Sequence, residues 1–86
     1  MNEKDFLALC KREVVSYANK RPEDQFPRIT EDDVYAVWLC KTLQNSKALL
    51  STTVPDTMYY ELTYNGDKGE LYLDAYAKRD NICIIV

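Results

Sequence analysis

The sequence predicts an α+β domain in which an N-terminal helix packs on an antiparallel meander of four or five strands. Three observations predict this fold. Apolar residues recur at helical spacing near the start, and alternating apolar and polar segments separated by turn residues fill the remainder. A third is the length, because 86 residues suffice for only one core. We therefore expect a single domain over residues 1–86, with a helix over about 2–20, a loop over 21–33 and a sheet over 34–86.

The helix is indicated by an apolar stripe at steps of three and four residues, with charged residues on the other side. The stripe consists of Phe6, Leu9, Cys10, Val14 and Tyr17. Asn2 is placed to cap the first turn, and Pro22 ends the helix. The stripe predicts a helix that packs on the sheet.

The first strand is predicted from Val34 to Leu43, after the proline-rich loop RPEDQFPR. Both alternating sets of this strand are apolar, which is typical of a strand covered on both faces. Regular alternation puts Tyr35, Val37, Leu39 and Lys41 on one face and Trp38 on the other. Gln44 to Ser46 then form a turn, and Lys47 to Thr53 return as the second strand.

The third and fourth strands, Met58 to Tyr64 and Glu70 to Lys78, permit a prediction of register. A four-residue loop from Gly66 to Gly69 makes one face of this hairpin uniformly apolar. The paired residues are then Tyr64 with Leu71, Leu62 with Leu73, Tyr60 with Ala75, Thr63 with Tyr72, Glu61 with Asp74, and Tyr59 with Tyr76. A slip by one residue would mix the two faces.

The segment NICIIV, residues 81–86, is apolar and rich in β-branched residues. It predicts a last short strand, or a continuation of the fourth strand past a bulge. An exposed strand of this kind favours aggregation, so we expect it to be covered or paired, with a second copy of the chain as one partner.

Composition argues against several classes of function. The formal net charge of −3 and the scattered lysines and arginines disfavour nucleic-acid binding, which needs a basic stripe. The chain has three cysteines, no CxxC pair and no histidine, so we expect reduced thiols, no metal site and no cofactor. The charged N-terminal stretch and the absence of a long apolar segment predict a protein of the cytoplasm without membrane insertion.

The most informative expectation concerns the sheet face that the helix does not cover. That face should carry Tyr59, Glu61, Tyr72, Asp74 and Tyr76. Tyr35 and Lys41 are expected beside them. Aromatic residues with a few charges suit a protein contact, self-association or a stacked planar ligand, and an ordinary solvated face is the alternative.

The opposed carboxylates Glu61 and Asp74 also suit general acid and base chemistry in principle. A shallow sheet face does not exclude water, however, and a nearby cation such as Lys41 would relieve the charge. The two glycines fit a hairpin and form no phosphate loop. We therefore expect no enzyme activity and assign no catalytic residues.

The segment VYAVWLCKTLQNSKALLSTTVPDTMYYELTYNGDKGELYLDAYAK, Val34 to Lys78, resembles a family of small uncharacterised proteins encoded by phages and prophages of Gram-positive bacteria. The resemblance implies a phage accessory product acting in the bacterial cytoplasm, and it supplies no reaction or catalytic group. The leading hypothesis is a non-enzymatic homodimer that binds and modulates a host or phage protein. The alternative is an oligomer that sequesters a small nucleotide signal of bacterial defence, for which Lys41, Lys47 and Lys78 are the available cations.

Overall fold

The computed structural model describes residues 1–86 and confirms the α+β fold, with four strands. Helix α1 spans Glu3–Ala18, a single 3-10 turn spans Glu31–Asp33, and the strands are β1, Val34–Thr42; β2, Asn45–Thr52; β3, Met58–Asn65; and β4, Glu70–Ala77. They form one antiparallel sheet in the order β1-β2-β3-β4. Neither helix has the length and apolar character that crossing a membrane requires.

Helix α1 begins where the sequence predicts. The side-chain oxygen of Asn2 accepts a hydrogen bond from the Asp5 backbone N–H at 2.8 Å, which satisfies one of the free donors of the first turn. The helix buries Phe6, Cys10, Val14 and Ala18. Four-residue spacing places these side chains along one face of the helix, and that face packs on the sheet.

The core lies between α1 and one face of the sheet. Its fully buried sheet residues include Ala48, Leu50, Tyr60 and Leu62. They alternate along β2 and β3, so both strands direct the same face toward the helix. We call this the inner face of the sheet, and the opposite one the outer face.

Polar contacts attach the end of α1 to the rest of the fold. The Asn19 side chain donates to the Ile29 carbonyl at 2.9 Å and accepts from the Ile29 N–H at 3.0 Å. The Arg21 guanidinium donates to Asp56 at 2.7 Å and lies 4.2 Å from the centre of the Phe26 ring. The loop after the helix is therefore held by specific contacts on both sides.

The predicted register of β3 and β4 is confirmed. Tyr64 is opposite Leu71, and the other five predicted pairs follow in the same register. Residues 66–69 form the connecting loop between the strands, and Gly69 has a φ of 64°. Glycine suits this left-handed conformation because it has no Cβ to clash with the backbone.

The β1–β2 turn is shorter than predicted. Only Leu43 and Gln44 connect the strands, and Asn45 and Ser46 already belong to β2. Leu43 has a φ of 55°. Leucine rarely adopts this conformation, so the sequence gives no sign that Leu43 belongs to the turn. Asn45 and Ser46 are common turn residues, and the prediction therefore placed the turn too late in the chain.

Regular alternation along β1 was also a wrong prediction. Ala36 pairs with Leu50 and Trp38 pairs with Leu49, so Val37 is an extra residue that forms a β-bulge. Beyond the bulge, Leu39 pairs with Ala48 and therefore lies on the inner face. Trp38 correspondingly lies on the outer face.

The predicted fifth strand is absent from the single chain, and the sheet ends at Ala77 instead of continuing to residue 86. The Lys78 N–H donates to the Thr57 carbonyl at 2.7 Å, and no backbone hydrogen bond follows. The side chains of Ile82, Ile84, Ile85 and Val86 are exposed. A segment with high strand propensity forms a strand only beside another strand that accepts its hydrogen bonds, and this fold places no such strand beside residues 81–86.

Candidate functional site

The outer face is a regular array of side chains, because four strands in register align their residues in rows. The rows across β1, β2, β3 and β4 are Tyr35, Ser51, Tyr59 and Tyr76; Trp38, Leu49, Glu61 and Asp74; and Cys40, Lys47, Thr63 and Tyr72. No element of the chain packs over these rows, since α1 is on the inner face. The outer face is therefore left without a layer above it.

Aromatic side chains surround the centre of this face. Tyr35, Trp38, Tyr72 and Tyr76 are each between 42% and 55% exposed, while Tyr59 and the central Leu49 are less so. Large aromatic side chains left half-exposed offer apolar area and, for tyrosine and tryptophan, a polar tip that stays available for hydrogen bonding. This combination is typical of surfaces that bind other molecules.

The charged groups of the outer face are mostly carboxylates. Glu61 and Asp74 lie directly opposite each other, as predicted, and the Lys47 ammonium is 3.6 Å from the Glu61 carboxylate. The Lys47 side chain is 47% exposed, so water screens this ion pair and its contribution to stability is small. Asp74 makes no ion pair, so its carboxylate remains available to a binding partner.

A further carboxylate, that of Glu70, accepts a hydrogen bond from the Tyr72 hydroxyl at 3.2 Å. This hydrogen bond, together with the negative charge of Glu70, raises the pKa of Tyr72. The phenol therefore stays neutral and keeps its proton for donation over the whole physiological range. The pair orients the Tyr72 ring at the side of the sheet formed by β4.

Six of the seven residues predicted for this face lie on it: Tyr35, Tyr59, Glu61, Tyr72, Asp74 and Tyr76. The seventh prediction, Lys41, is wrong in its placement, because the bulge at Val37 turns Lys41 to the inner face opposite Ser46. Its ammonium donates to the Met1 carbonyl at 3.3 Å.

Sequence reasoning missed Trp38 and Lys47 as members of the outer face. The signal that would have found them is the two-residue turn at Leu43 and Gln44. Counting outward from that turn pairs Thr42 with Asn45, Cys40 with Lys47 and, at the next outer-face position, Trp38 with Leu49, as the structure does. The absence of glycine in the turn concealed this register.

Several concave regions adjoin the sheet, and two of them lie beside residues described above. A small cavity of about 90 Å³ lies between the start of α1 and β1, lined by Glu3, Phe6, Leu39 and Lys41 among others. A shallow depression of about 340 Å³ on the outer face lies beside Trp38, Lys47 and Thr63. No cluster of histidine, cysteine, aspartate or glutamate is suited to hold a metal ion.

Two buried titratable groups, Cys10 and Tyr60, lie in the core, away from the outer face. Burial raises the pKa of the Cys10 thiol to about 12. Burial also raises the pKa of Tyr60, whose hydroxyl has no hydrogen-bond partner and whose ring packs edge-on against Tyr17 at a centroid distance of 5.8 Å. A thiol that holds its proton so strongly is a poor nucleophile, so Cys10 has a packing role.

Comparison with known proteins relates the chain to one family. No curated protein and no solved structure matches the sequence. The sequence does match the family of unknown function DUF6275 over residues 7–86, which includes all four strands, the C-terminal segment and most of α1. This match extends over most of the chain, and the protein therefore belongs to the DUF6275 family.

Proposed function

We propose that this protein is a non-enzymatic interaction protein whose outer sheet face binds another protein. The observation that carries the proposal is the group of half-exposed aromatic side chains around Leu49, on a face that no other element covers. Tyrosine and tryptophan are enriched where protein interfaces lose most of their water, and they contribute a large share of binding energy there. Their location on a sheet also holds them rigidly before binding.

The charges of the outer face favour a partner that presents arginine or lysine beside apolar side chains. Asp74 is free of ion pairs, and Glu70 lies four residues earlier on the same strand. A guanidinium could pair with Asp74 and stack on the ring of Tyr72 or Tyr76. Lys47 is already close to Glu61 and would take little part in binding an acidic partner.

The biological setting we propose is a bacterial cell carrying a phage or prophage. In this proposal the protein is phage-encoded and acts in the cytoplasm, where it binds and modulates a host or phage protein during host take-over or counter-defence. The support is the resemblance of Val34 to Lys78 to small phage and prophage proteins. The homodimeric state that we expect is considered separately below.

Sequestration of a nucleotide signal, the alternative hypothesis, receives no specific support from the geometry. A site for phosphates needs cations that converge. Lys41 lies on the inner face beside Met1, Lys47 is near Glu61, and Lys78 follows the end of β4. The outer face instead presents carboxylates, which repel phosphates.

The test is capture of partners from lysate of a bacterium undergoing prophage induction, with purified wild-type protein and variants as bait. Trp38→Ala and Tyr76→Ala should each reduce recovery of the same captured protein at least tenfold, since interface aromatic residues often contribute about 2 kcal/mol or more. Leu43→Ala is the control, because Leu43 is also a large exposed apolar residue, at 88%, and lies in the β1–β2 turn instead of on the outer face. Equal recovery by all four baits would exclude the outer face as the binding surface.

A further inference from the structure

The free edge of β4 is a second surface that the fold leaves open. The strand order β1-β2-β3-β4 places β4 at one side of the sheet with only β3 as a neighbour. The Lys78 N–H donates to the Thr57 carbonyl, and this contact sets the hydrogen-bonding alternation along β4. Even-numbered residues of β4 therefore bond to β3. The N–H and C=O groups of Leu71, Leu73, Ala75 and Ala77 point to the open edge.

The two edges of the sheet differ in how they are protected. Edge strands of soluble proteins are usually interrupted by a bulge, a proline or a lysine, which hinder pairing with another chain. Strand β1 has the bulge at Val37 and also contains Lys41. Strand β4, ELYLDAYA, has none of these and pairs regularly with β3 over its whole length. The β4 edge is thus the one suited to adding a further strand.

The inner face beside this edge is incompletely covered. Helix α1 packs mainly against β1 and β2, on the far side of the sheet from β4. Leu71, Leu73 and Ala75 consequently remain only partly buried against the core. An additional strand at the β4 edge would bring neighbouring side chains against this apolar strip.

We propose that β4 pairs in antiparallel orientation with β4 of a second copy of this chain, so that the two four-stranded sheets become one. Identical strands related by a two-fold axis pair about a central residue, and residues opposite each other share a face. The apolar inner-face residues of β4 therefore meet the same apolar residues of the second copy. The outer-face residues of β4 likewise meet those of the second copy.

Charge complementarity selects the register. A centre at Asp74 would set this carboxylate directly against the partner's Asp74, and a centre at Tyr72 would set Glu70 against the partner's Asp74. Like charges directly opposite each other destabilise a sheet. A centre at Leu73 instead places Tyr72 opposite the partner's Asp74.

The inner-face pairs in the Leu73-centred register are all apolar. Leu73 meets the partner's Leu73, and Leu71 meets the partner's Ala75. These residues have the edge-facing N–H and C=O groups, so each pair forms two backbone hydrogen bonds. A centre at Ala75 would also separate the carboxylates, but it would shift Leu71 opposite the partner's Arg79, which is beyond the end of the strand.

This dimer is independent of the proposed binding function, although it affects the same molecule. It uses the edge of β4 and leaves the outer face uncovered. The two outer faces would become continuous across the pairing line. Loss of dimerisation and loss of partner capture can therefore be measured separately.

The first test is light scattering across a concentration series, up to the solubility limit. Wild-type protein should have about twice the 10.0 kDa mass of the chain. Ala75→Pro removes one N–H at the free edge of β4 and should give a monomer. Ala36→Pro is the matched control, because it removes an N–H at the other open edge of the sheet, that of β1. The Thr53 N–H donates to the Asp33 carbonyl, and alternation from this bond directs the Ala36 N–H to the open edge. This variant should remain a dimer.

Disulfide cross-linking tests the register and does not depend on proline. In a background with the exposed Cys40 and Cys83 replaced by serine, Leu73→Cys should form a covalent dimer on mild oxidation. Hydrogen-bonded antiparallel pairs have Cα atoms about 5.5 Å apart, which suits a disulfide. Asp74→Cys in the same background should not cross-link, because its nearest neighbour across the axis would be the partner's Tyr72.

These experiments give outcomes that decide the proposal. A wild-type monomer at every concentration would refute the dimer. A dimer that persists in folded Ala75→Pro and is lost in folded Ala36→Pro would place the contact at β1 and refute the β4 edge. Efficient cross-linking of the Asp74→Cys protein without that of the Leu73→Cys protein would refute the register.

Discussion

The Arg21 guanidinium donates to the Asp56 carboxylate at 2.7 Å and so connects the end of α1 to the turn between β2 and β3. The Asp56 side chain is only 6% exposed, and its other oxygen accepts from the Met58 N–H at 3.1 Å. This carboxylate therefore supports both the helix position and the start of β3. A buried carboxylate without its cation would retain an uncompensated charge.

We expect Arg21→Met to lower the free energy of unfolding by about 2 kcal/mol, since it leaves Asp56 without its charged donor. Urea denaturation followed by circular dichroism measures this change. Arg28→Met is the control: its ion pair with Glu23 is 2.6 Å long but exposed, so its loss should cost less than about 1 kcal/mol. Equal losses for the two variants would contradict a special role of the buried pair.

Trp38 provides a direct test of the bulge, because it is the only tryptophan in the chain. Its position on the outer face predicts fluorescence that acrylamide quenches efficiently in the native state. Deletion of Val37 would remove the extra residue, and the strand would become regular with the pairs on both sides of the bulge unchanged. The deletion variant should therefore fold and remain equally quenchable, whereas protected fluorescence in the native wild type would contradict the register.

The buried thiol of Cys10 predicts a loss of stability at alkaline pH. The pKa of the thiol is raised from 9.0 to about 12 in the folded protein, so between these values the unfolded chain has lost a proton that the folded chain retains. The free energy of unfolding must then decrease as pH rises, by up to about 1.4 kcal/mol per pH unit from this group. The effect fades below pH 9, where the thiol becomes protonated in the unfolded chain as well.

Urea denaturation at several pH values between 9 and 12 measures this effect. Cys10→Ala should be less stable at neutral pH because of the small cavity, but its stability should fall less steeply with pH than that of the wild type. Cys83→Ala replaces an exposed cysteine and should keep the wild-type slope. Parallel curves for the wild type and Cys10→Ala would show that the thiol is not responsible.

The two glycines of the β3–β4 loop are expected to respond differently to alanine. A Cβ added at Gly66 would clash with the Gln44 carbonyl oxygen in the neighbouring turn, so one of the two loops must move. Gly69 has open space around it, and alanine there meets only the cost of its left-handed backbone, about 1 kcal/mol. Gly66→Ala should therefore be the more destabilising of the two in thermal denaturation, and the reverse order would contradict the close approach of the loops.

The hairpin of β3 and β4 could be predicted from the sequence because its two faces differ chemically. Leu62, Leu73 and Ala75 alternate with charged and aromatic residues, so only one register buries the apolar set. The same logic correctly placed the five predicted outer-face residues of this hairpin, Tyr59, Glu61, Tyr72, Asp74 and Tyr76. The candidate surface was thus largely available from alternation alone.

Strand β1 could not be predicted in the same way, because both of its alternating sets are apolar. A one-residue insertion at Val37 then exchanges the faces of all later residues without leaving a contradiction in the pattern. Lys41 and Trp38 were misplaced for this reason. The prediction of a fifth strand at the C-terminus was wrong for a different reason, since strand propensity does not indicate which strand, if any, a segment pairs with.

The meander order also has a consequence for how the chain folds. Every strand pairs with the strand that precedes or follows it, so each hairpin closes over a short loop and loses little chain entropy. Docking of α1 requires the longest closure, illustrated by the 35 residues that separate Arg21 from Asp56. Contacts between residues close in sequence, like those within each hairpin, form faster than contacts between distant residues. We therefore expect the sheet to form first and helix α1 to pack on its inner face in a later, slower step.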